Sequence, residues 1–155
     1  MNFRLAPVPI DSDLDALASG LAPRFGGDPA AGRELLARTL AALTAQPRPD
    51  PWGCYLAHDG DAAVGTCAFK AVPDAAGTVE IAYMTFPAFE RRGYATAMVG
   101  ALFELARAAG VPLVTAHTLP EENASTRALS RFNFVNAGET IDPEDGLVWR
   151  WERRT

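Results

Sequence analysis

The chain has 155 residues, 48% hydrophobic and 21% charged, with a formal net charge of −5, which is the length and composition of one ordered globular domain spanning residues 1–155. The acidic balance excludes a broad nucleic-acid surface, because phosphate recognition needs clustered Lys and Arg and Lys70 is the only lysine. No apolar run reaches the roughly 18 residues needed to span a bilayer, and no charged-then-apolar leader opens the chain; with Cys54 and Cys67 in strand-like runs, we expect a cytoplasmic protein with buried thiols and no membrane partner.

Phe3–Val8 alternates in polarity and reads as a strand closed by Pro7 and Pro9. Ser12 offers an N-cap to a short amphipathic helix carrying Leu14, Leu17, Ala18 and Leu21, which Pro23 and the Gly26-Gly27 pair should break. Asp28, with Pro29 at the first helical position, caps a second helix whose Leu35, Leu36, Leu40 and Leu43 form a buried stripe ending before Pro47. Gly53–His58 and Ala62–Lys70 flank Asp59-Gly60-Asp61 and read as a β-hairpin, since Asp-Gly supplies the positive φ of a tight turn. Thr78–Phe86 is the strongest strand and Gly93–Ala109 the strongest helix, stopped by Gly110 and Pro112. Leu113–His117 gives a short strand, Asn123–Phe132 a short helix, and Phe134–Ile141 with Leu147–Glu152 a closing strand pair. The order β-α-α-β-β-β-α-β-α-β-β predicts a mixed α/β (α+β) fold, a meander followed by a strand–helix–strand unit.

The segment from Glu80 to Thr96 carries the most chemistry. A strand passes into a helix through Arg91-Arg92-Gly93-Tyr94-Ala95-Thr96. Unpaired N–H groups at such a helix start converge, and the helix dipole adds partial positive charge, a combination suited to a pyrophosphate. Gly93 and Ala95 permit close approach of the backbone, and Arg91 and Arg92 can add charge-assisted contacts. Alone, this turn reads as an ordinary helix start. Taken with Asn123, Ser125, Leu129 and Phe134, it resembles the GNAT acetyltransferases: Gly93 and Ala95 fill the small positions of their acyl-coenzyme A turn, and the later residues match their Asn-x-Ser segment followed by Leu-Gly-Phe. Within that superfamily the chain is similar to the branch that includes ribosomal-protein N-terminal acetyltransferases. Two residues depart from the pattern, Glu90 where Arg or Gln is usual and Asn133 where Gly is usual.

The resemblance implies a mixed, mostly antiparallel sheet of about seven strands flanked by four helices, with a splayed central strand pair, Val79–Phe86 and Leu113–His117, enclosing pantetheine. It implies acetyl-CoA as cosubstrate, no metal, and direct attack by a primary amine in a ternary complex, the acceptor being a small-molecule amine or a protein N-terminus and the protein a monomer or homodimer. By the same resemblance Met84, Thr85 and Phe86 lie beside the pantetheine, Arg91, Arg92, Gly93, Tyr94, Ala95 and Thr96 around the pyrophosphate, and Asn123 near the pantetheine or the thioester, with a helix N-cap as its competing or coexisting role. Glu80 leads as the general base, an isolated carboxylate in an apolar strand, where desolvation favours proton uptake; the competing reading is a solvated residue on a half-exposed sheet. His117 is the lesser base candidate. Leu129 stands where some members carry a tyrosine that protonates the departing thiolate, so Ser125, Tyr83 or water must serve, and Ser125 reads equally as a helix cap. An alternative function is a catalytically weak acyl-CoA-binding sensor of the same fold, suggested by Glu90 and Leu129. A nucleotide-binding regulatory domain would need a glycine triplet after a parallel strand, which the turn lacks.

Overall fold

Short turns and three helix-bearing connections decide the sheet. In the computed structural model, which describes residues 1–155, seven strands form one sheet: β1 Phe3–Pro7, β2 Cys54–Asp59, β3 Ala62–Phe69, β4 Thr78–Thr85, β5 Leu113–Thr118, β6 Val135–Asp142 and β7 Gly146–Arg154, in the order β1-β2-β3-β4-β5-β7-β6. Only β4 and β5 run parallel. They are joined by helix α3, Tyr94–Ala108, the kind of crossover that a parallel pair requires and a two-residue hairpin cannot provide. Their pairing covers Thr78–Ile81 against Leu113–Ala116 and then stops, so the central pair is splayed. The other helices are α1 Leu14–Phe25, α2 Pro29–Thr44 and α4 Ala124–Arg131. None is long and apolar enough to cross a membrane.

Period-two alternation along β4 distributes the core. Val79 and Ile81 join Met98, Val99, Leu102 and Phe103 of α3 and Val114 and Ala116 of β5 in the main cluster. Glu80 and Met84 therefore face the other side of the sheet, where Met84 packs on a second cluster built from Ala18, Leu21, Phe25, Leu36 and Phe86. Cys54 and Cys67 are free and buried in different clusters, and burial pushes the Cys54 thiol up to about 11.

Three details differ from the sequence reading. Asp13, not Ser12, caps α1, accepting from the Ala16 N–H at 3.0 Å, a carboxylate being favoured over a hydroxyl by the helix dipole. Pro23 does not break α1, which continues to Phe25 and stops at Gly26 with φ 106°. Burial of Phe25, whose ring centroid lies 5.2 Å from that of Phe86, contributes about 1.5–3 kcal/mol, which offsets much of the roughly 3 kcal/mol cost of an interior proline. On α2, Leu36 and Leu40 are fully buried, but Leu35 is 37% exposed because it lies outside the contact stripe.

Two polar clasps hold the periphery. Arg48 donates to the carbonyls of Leu43, Trp52, Phe69 and Lys70, fixing the proline-rich loop before β2. At the start of α3, the Tyr94 hydroxyl donates to Asp59 Oδ2 at 2.6 Å while the Asn2 N–H donates to Oδ1 at 2.7 Å, tying the β2–β3 turn to the helix. The Tyr94 bond, then that of Asn2, holds the Asp59 carboxyl below its ordinary range. Because the folded value is depressed, the associated stability is complete above the unfolded value near about 4 and is lost as pH falls through the folded value. Tyr94→Phe should therefore lower Tm at neutral pH, with the gap to wild type closing in melts taken below about pH 4. A gap of constant size across that range would show that the clasp does not act through the Asp59 charge.

Candidate active site

Beyond Ile81 and Ala116 the central strands part, yet each remains a strand. Ala82–Thr85 of β4 stays paired with Ala68–Gly65 of β3, and His117 and Thr118 of β5 stay paired with Arg150 and Trp149 of β7. The facing edges thus carry N–H and C=O groups without ladder partners, and such groups are costly when dry. An extended, amide-bearing chain laid between them would supply partners as an added strand does.

The opening leads into a cavity of about 580 Å³. One wall is the end of β4, with Tyr83, Met84 and Thr85; the next is the turn with Glu90, Arg91, Gly93, Tyr94, Ala95 and Thr96; the last is α4, with Ala124, Ser125, Arg127, Ala128 and Arg131. Arg91 (φ 64°) and Gly93 (φ 85°) both adopt the left-handed conformation, and Gly93 caps α3 without a side-chain bond, so the first N–H groups of α3 have no side-chain cap. Left-handed residues in such a turn create a concave set of backbone donors for an anion. A non-glycine residue there costs roughly 1–2 kcal/mol, strain stored by Arg91 at the cavity wall.

Of the residues expected at the coenzyme, Met84, Thr85, Arg91, Gly93, Tyr94, Ala95 and Thr96 line this cavity. Phe86 and Arg92 are placed elsewhere: Phe86 turns inward after β4 ends and is fully buried against Phe25, and the Arg92 guanidinium lies 5.5 Å over the Phe89 ring. Asn123 caps α4, accepting from the Thr126 N–H at 3.0 Å while Thr126 Oγ1 accepts from the Asn123 N–H at 2.9 Å. It lines a second cavity of about 350 Å³ with His117, Thr118, Leu119, Ser125, Asp145 and Val148. Ser125 is not the cap and is common to both cavities. Its carbonyl accepts the Tyr83 hydroxyl at 3.2 Å, and burial raises the Tyr83 phenol well above its ordinary value, so it stays protonated.

Glu80 is neither isolated nor free in solvent. Its Oε1 lies 3.2 Å from Lys70 Nζ and 3.2 Å from His117 Nδ1, and the same His117 nitrogen is 3.3 Å from Asp142 Oδ2. Register explains the cluster: Glu80 pairs with Thr115, so His117 two residues on shares its face, while the Lys70 N–H donates to the Glu80 carbonyl at 2.8 Å from the neighbouring strand. Asp142 ends β6, and its Oδ1 accepts the N–H groups of Asp145 and Glu144, which hold its carboxyl below the ordinary range. Glu80, His117 and Asp142 bring three ligand-type atoms within 4.8 Å of one another, but the Lys70 ammonium on the same Glu80 oxygen opposes a cation there. Asp142 and Lys70 escaped the sequence reading; the only signals were the uniqueness of Lys70 and the Asp-Pro-Glu-Asp-Gly turn.

The model of the acetyltransferase (GNAT) domain matches residues 3–135. No curated protein is detectably similar in sequence. Among solved structures, RimJ of Mycobacterium smegmatis in complex with CoA-disulfide superposes with a TM-score of 0.71 at 16% identity, covering 99% of this chain and 82% of that one. RimL, a ribosomal L7/L12 alpha-N-protein acetyltransferase in complex with coenzyme A, gives 0.70 at 15%, covering 99% and 94%. The microcin C7 self-immunity acetyltransferase MccE in complex with acetyl-CoA and AMP gives 0.73 at 14%, covering 99% and 93%. The domain model spans most of the chain, and strand order and helix placement agree with it: the chain belongs to the GNAT acetyltransferase family.

Proposed function

We propose that this chain is an N-acetyltransferase that moves the acetyl group of acetyl-CoA to a primary amine by direct attack in a ternary complex. The observation that carries this reading is the parting of β4 and β5 between a turn built for phosphates and the Glu80 cluster. The coenzyme complexes of similar folds support acetyl-CoA as the donor. In this reading pantetheine fills the gap, the pyrophosphate sits on the N–H groups from Gly93 to Thr96, and a backbone N–H beside Met84 polarises the thioester carbonyl. One donor of that kind is worth roughly 10²–10³ in rate.

The acceptor, a small-molecule amine or a protein N-terminus, enters from the second cavity as an ammonium. Glu80 takes its proton directly or through one water, with Lys70 and His117 fixing the carboxylate and Asp142 orienting His117. The neutral nitrogen attacks the acyl carbon, the C–S bond breaks with its electron pair leaving on sulfur, and the second proton that the nitrogen sheds ends on that sulfur as the free thiol. Leu129 is fully buried and has no proton to give. Two phenols line the coenzyme cavity; that of Tyr94 is committed to Asp59 at 2.6 Å, whereas Tyr83 makes only the 3.2 Å bond to the Ser125 carbonyl, so Tyr83, which keeps its proton, is the phenol placed to hydrogen-bond the thiolate. Ser125, standing where the cavities meet, hydrogen-bonds the reacting centre. A non-catalytic acyl-CoA sensor is favoured by one feature, the Glu90 carboxylate on the coenzyme cavity wall.

Three outcomes follow. Release of free thiol from acetyl-CoA with at least one member of an amine panel is expected, and binding without any release would favour the sensor. Once an accepted amine is known, Glu80→Gln should lower kcat/KM by roughly 10² or more near neutral pH, the loss shrinking as the free amine deprotonates itself, while acetyl-CoA affinity stays unchanged. Full activity of that variant at every pH would remove Glu80 from proton transfer. Glu90→Gln should tighten coenzyme A binding several-fold by removing a carboxylate from the phosphate site, and weaker binding in a titration would mean that Glu90 serves the coenzyme rather than opposing it.

A further inference from the structure

We propose that Lys70 is an acceptor built into the chain, and that the protein transfers acetyl from acetyl-CoA to its own Lys70 side chain. The inference rests on acetyl-CoA being the donor and Glu80 the base, and adds an internal substrate for that same site.

The first observation is where the amine lies. Lys70 follows the last residue of β3, and its Nζ is 3.2 Å from Glu80 Oε1, the position that an acceptor ammonium must take to hand its proton to that carboxylate. Ala68 pairs with Ala82, and the Lys70 N–H donates to the Glu80 carbonyl at 2.8 Å, so Lys70 and Glu80 stand side by side on one face of the sheet. Glu80 lies one residue before the last paired position of β4 and β5, and the face of β4 between Glu80 and Met84 carries only the methyl of Ala82. The Lys70 side chain is 36% exposed, and its flexible four-carbon stem lets the amine swing along that face toward the slot.

The second observation is the residue type. Among the 14 Lys and Arg residues, Lys70 is the only lysine. Away from this cluster the ion pairs use arginine, Arg107 with Glu104 and Arg150 with Glu152. An arginine beside Glu80 would hold the carboxylate through its fork, but a guanidinium does not give up its proton in a protein, whereas a lysine ammonium does and becomes a nucleophile. The one exception to the use of arginine thus falls beside the group that removes protons from amines.

The step balances without a further reagent. Glu80 takes one proton from Lys70 Nζ, the freed lone pair attacks the acyl carbon, an N–C bond forms, and the C–S bond breaks with its electron pair on sulfur. The second proton shed by the nitrogen ends on sulfur, giving free coenzyme A and an N-acetyl-lysine amide, and Glu80 returns its proton to water. Desolvation favours loss of the ammonium proton, but the carboxylates of Glu80, Asp142 and Glu144 outweigh it and hold Lys70 above its ordinary value. The neutral amine is therefore scarce and the step slow; proximity offsets part of this, because a tethered amine needs no encounter. The product is uncharged, so Glu80 Oε1 loses its ammonium partner.

The test is intact-mass and peptide-mapping spectrometry of the full chain incubated with acetyl-CoA and no added amine. One acetyl group per chain is expected, located on Lys70 and matched by one free thiol, with a rate constant that does not change when the protein is diluted. Glu80→Gln should slow this uptake by roughly 10² or more, and Lys70→Arg should abolish it. Non-enzymatic acetylation instead favours the α-amino group of Met1, since an α-amine is less basic than a lysine amine. Acetyl on Met1 alone, or an equal rate at Lys70 in Glu80→Gln, would overturn the proposal, and so would a rate constant proportional to protein concentration, which marks transfer between chains. No uptake by a wild type that does release thiol with an added amine would overturn it while leaving the acetyltransferase reading standing, and that comparison needs no variant to fold. No uptake and no thiol release with any amine would overturn both.

Discussion

The structure turns on the early end of one strand pairing. β4 and β5 share only Thr78–Ile81 and Leu113–Ala116, yet β3 holds β4 straight to Thr85 and β7 holds β5 to Thr118. Two strands kept rigid by their outer neighbours, and denied each other, leave a slot edged with unpaired backbone groups. Gly65 shows how closely the outer support fits, since a Cβ there would run into the Met84 carbonyl oxygen. The slot is thus a built feature of the sheet, and the α3 turn, α4 and the Glu80 cluster are all placed relative to it.

Charge is divided across that slot. On the side of the α3 turn lie Arg91, Arg127 and Arg131 with the N-terminus of α3, opposed only by Glu90. On the side of His117 lie Glu80, Asp142 and Asp145 with one histidine and one lysine. An anionic donor and a cationic acceptor would each meet complementary charge and meet each other where the strands part. Lys70 and His117 both meet Glu80 at Oε1, which leaves Oε2 as the carboxylate oxygen open to a proton.

Local chemistry was legible in the residues; long-range register was not. Asp28 with Pro29, Asp59-Gly60 and the Gly93 turn act through neighbours a few positions away, and their elements formed where the chain order predicts. Ser12 and Asp13 differ by one residue at a cap, and only geometry separates them. Phe86 reads as part of a strand edge, but its side chain serves the contact between α1 and the sheet, which no local pattern reveals. Glu80 reads as isolated because Lys70 reaches it from just past the end of β3 and His117 and Asp142 from β5 and β6, through pairings that no window of residues contains.

The crystal structure of this chain with coenzyme A tests the account most directly. The account predicts pantetheine lying between Ala82–Thr85 and His117–Thr118, its amides bonded to the facing backbone edges, and the pyrophosphate on the N–H groups from Gly93 to Thr96. Coenzyme A bound elsewhere, with β4 and β5 unchanged and the slot filled only by water, would contradict it.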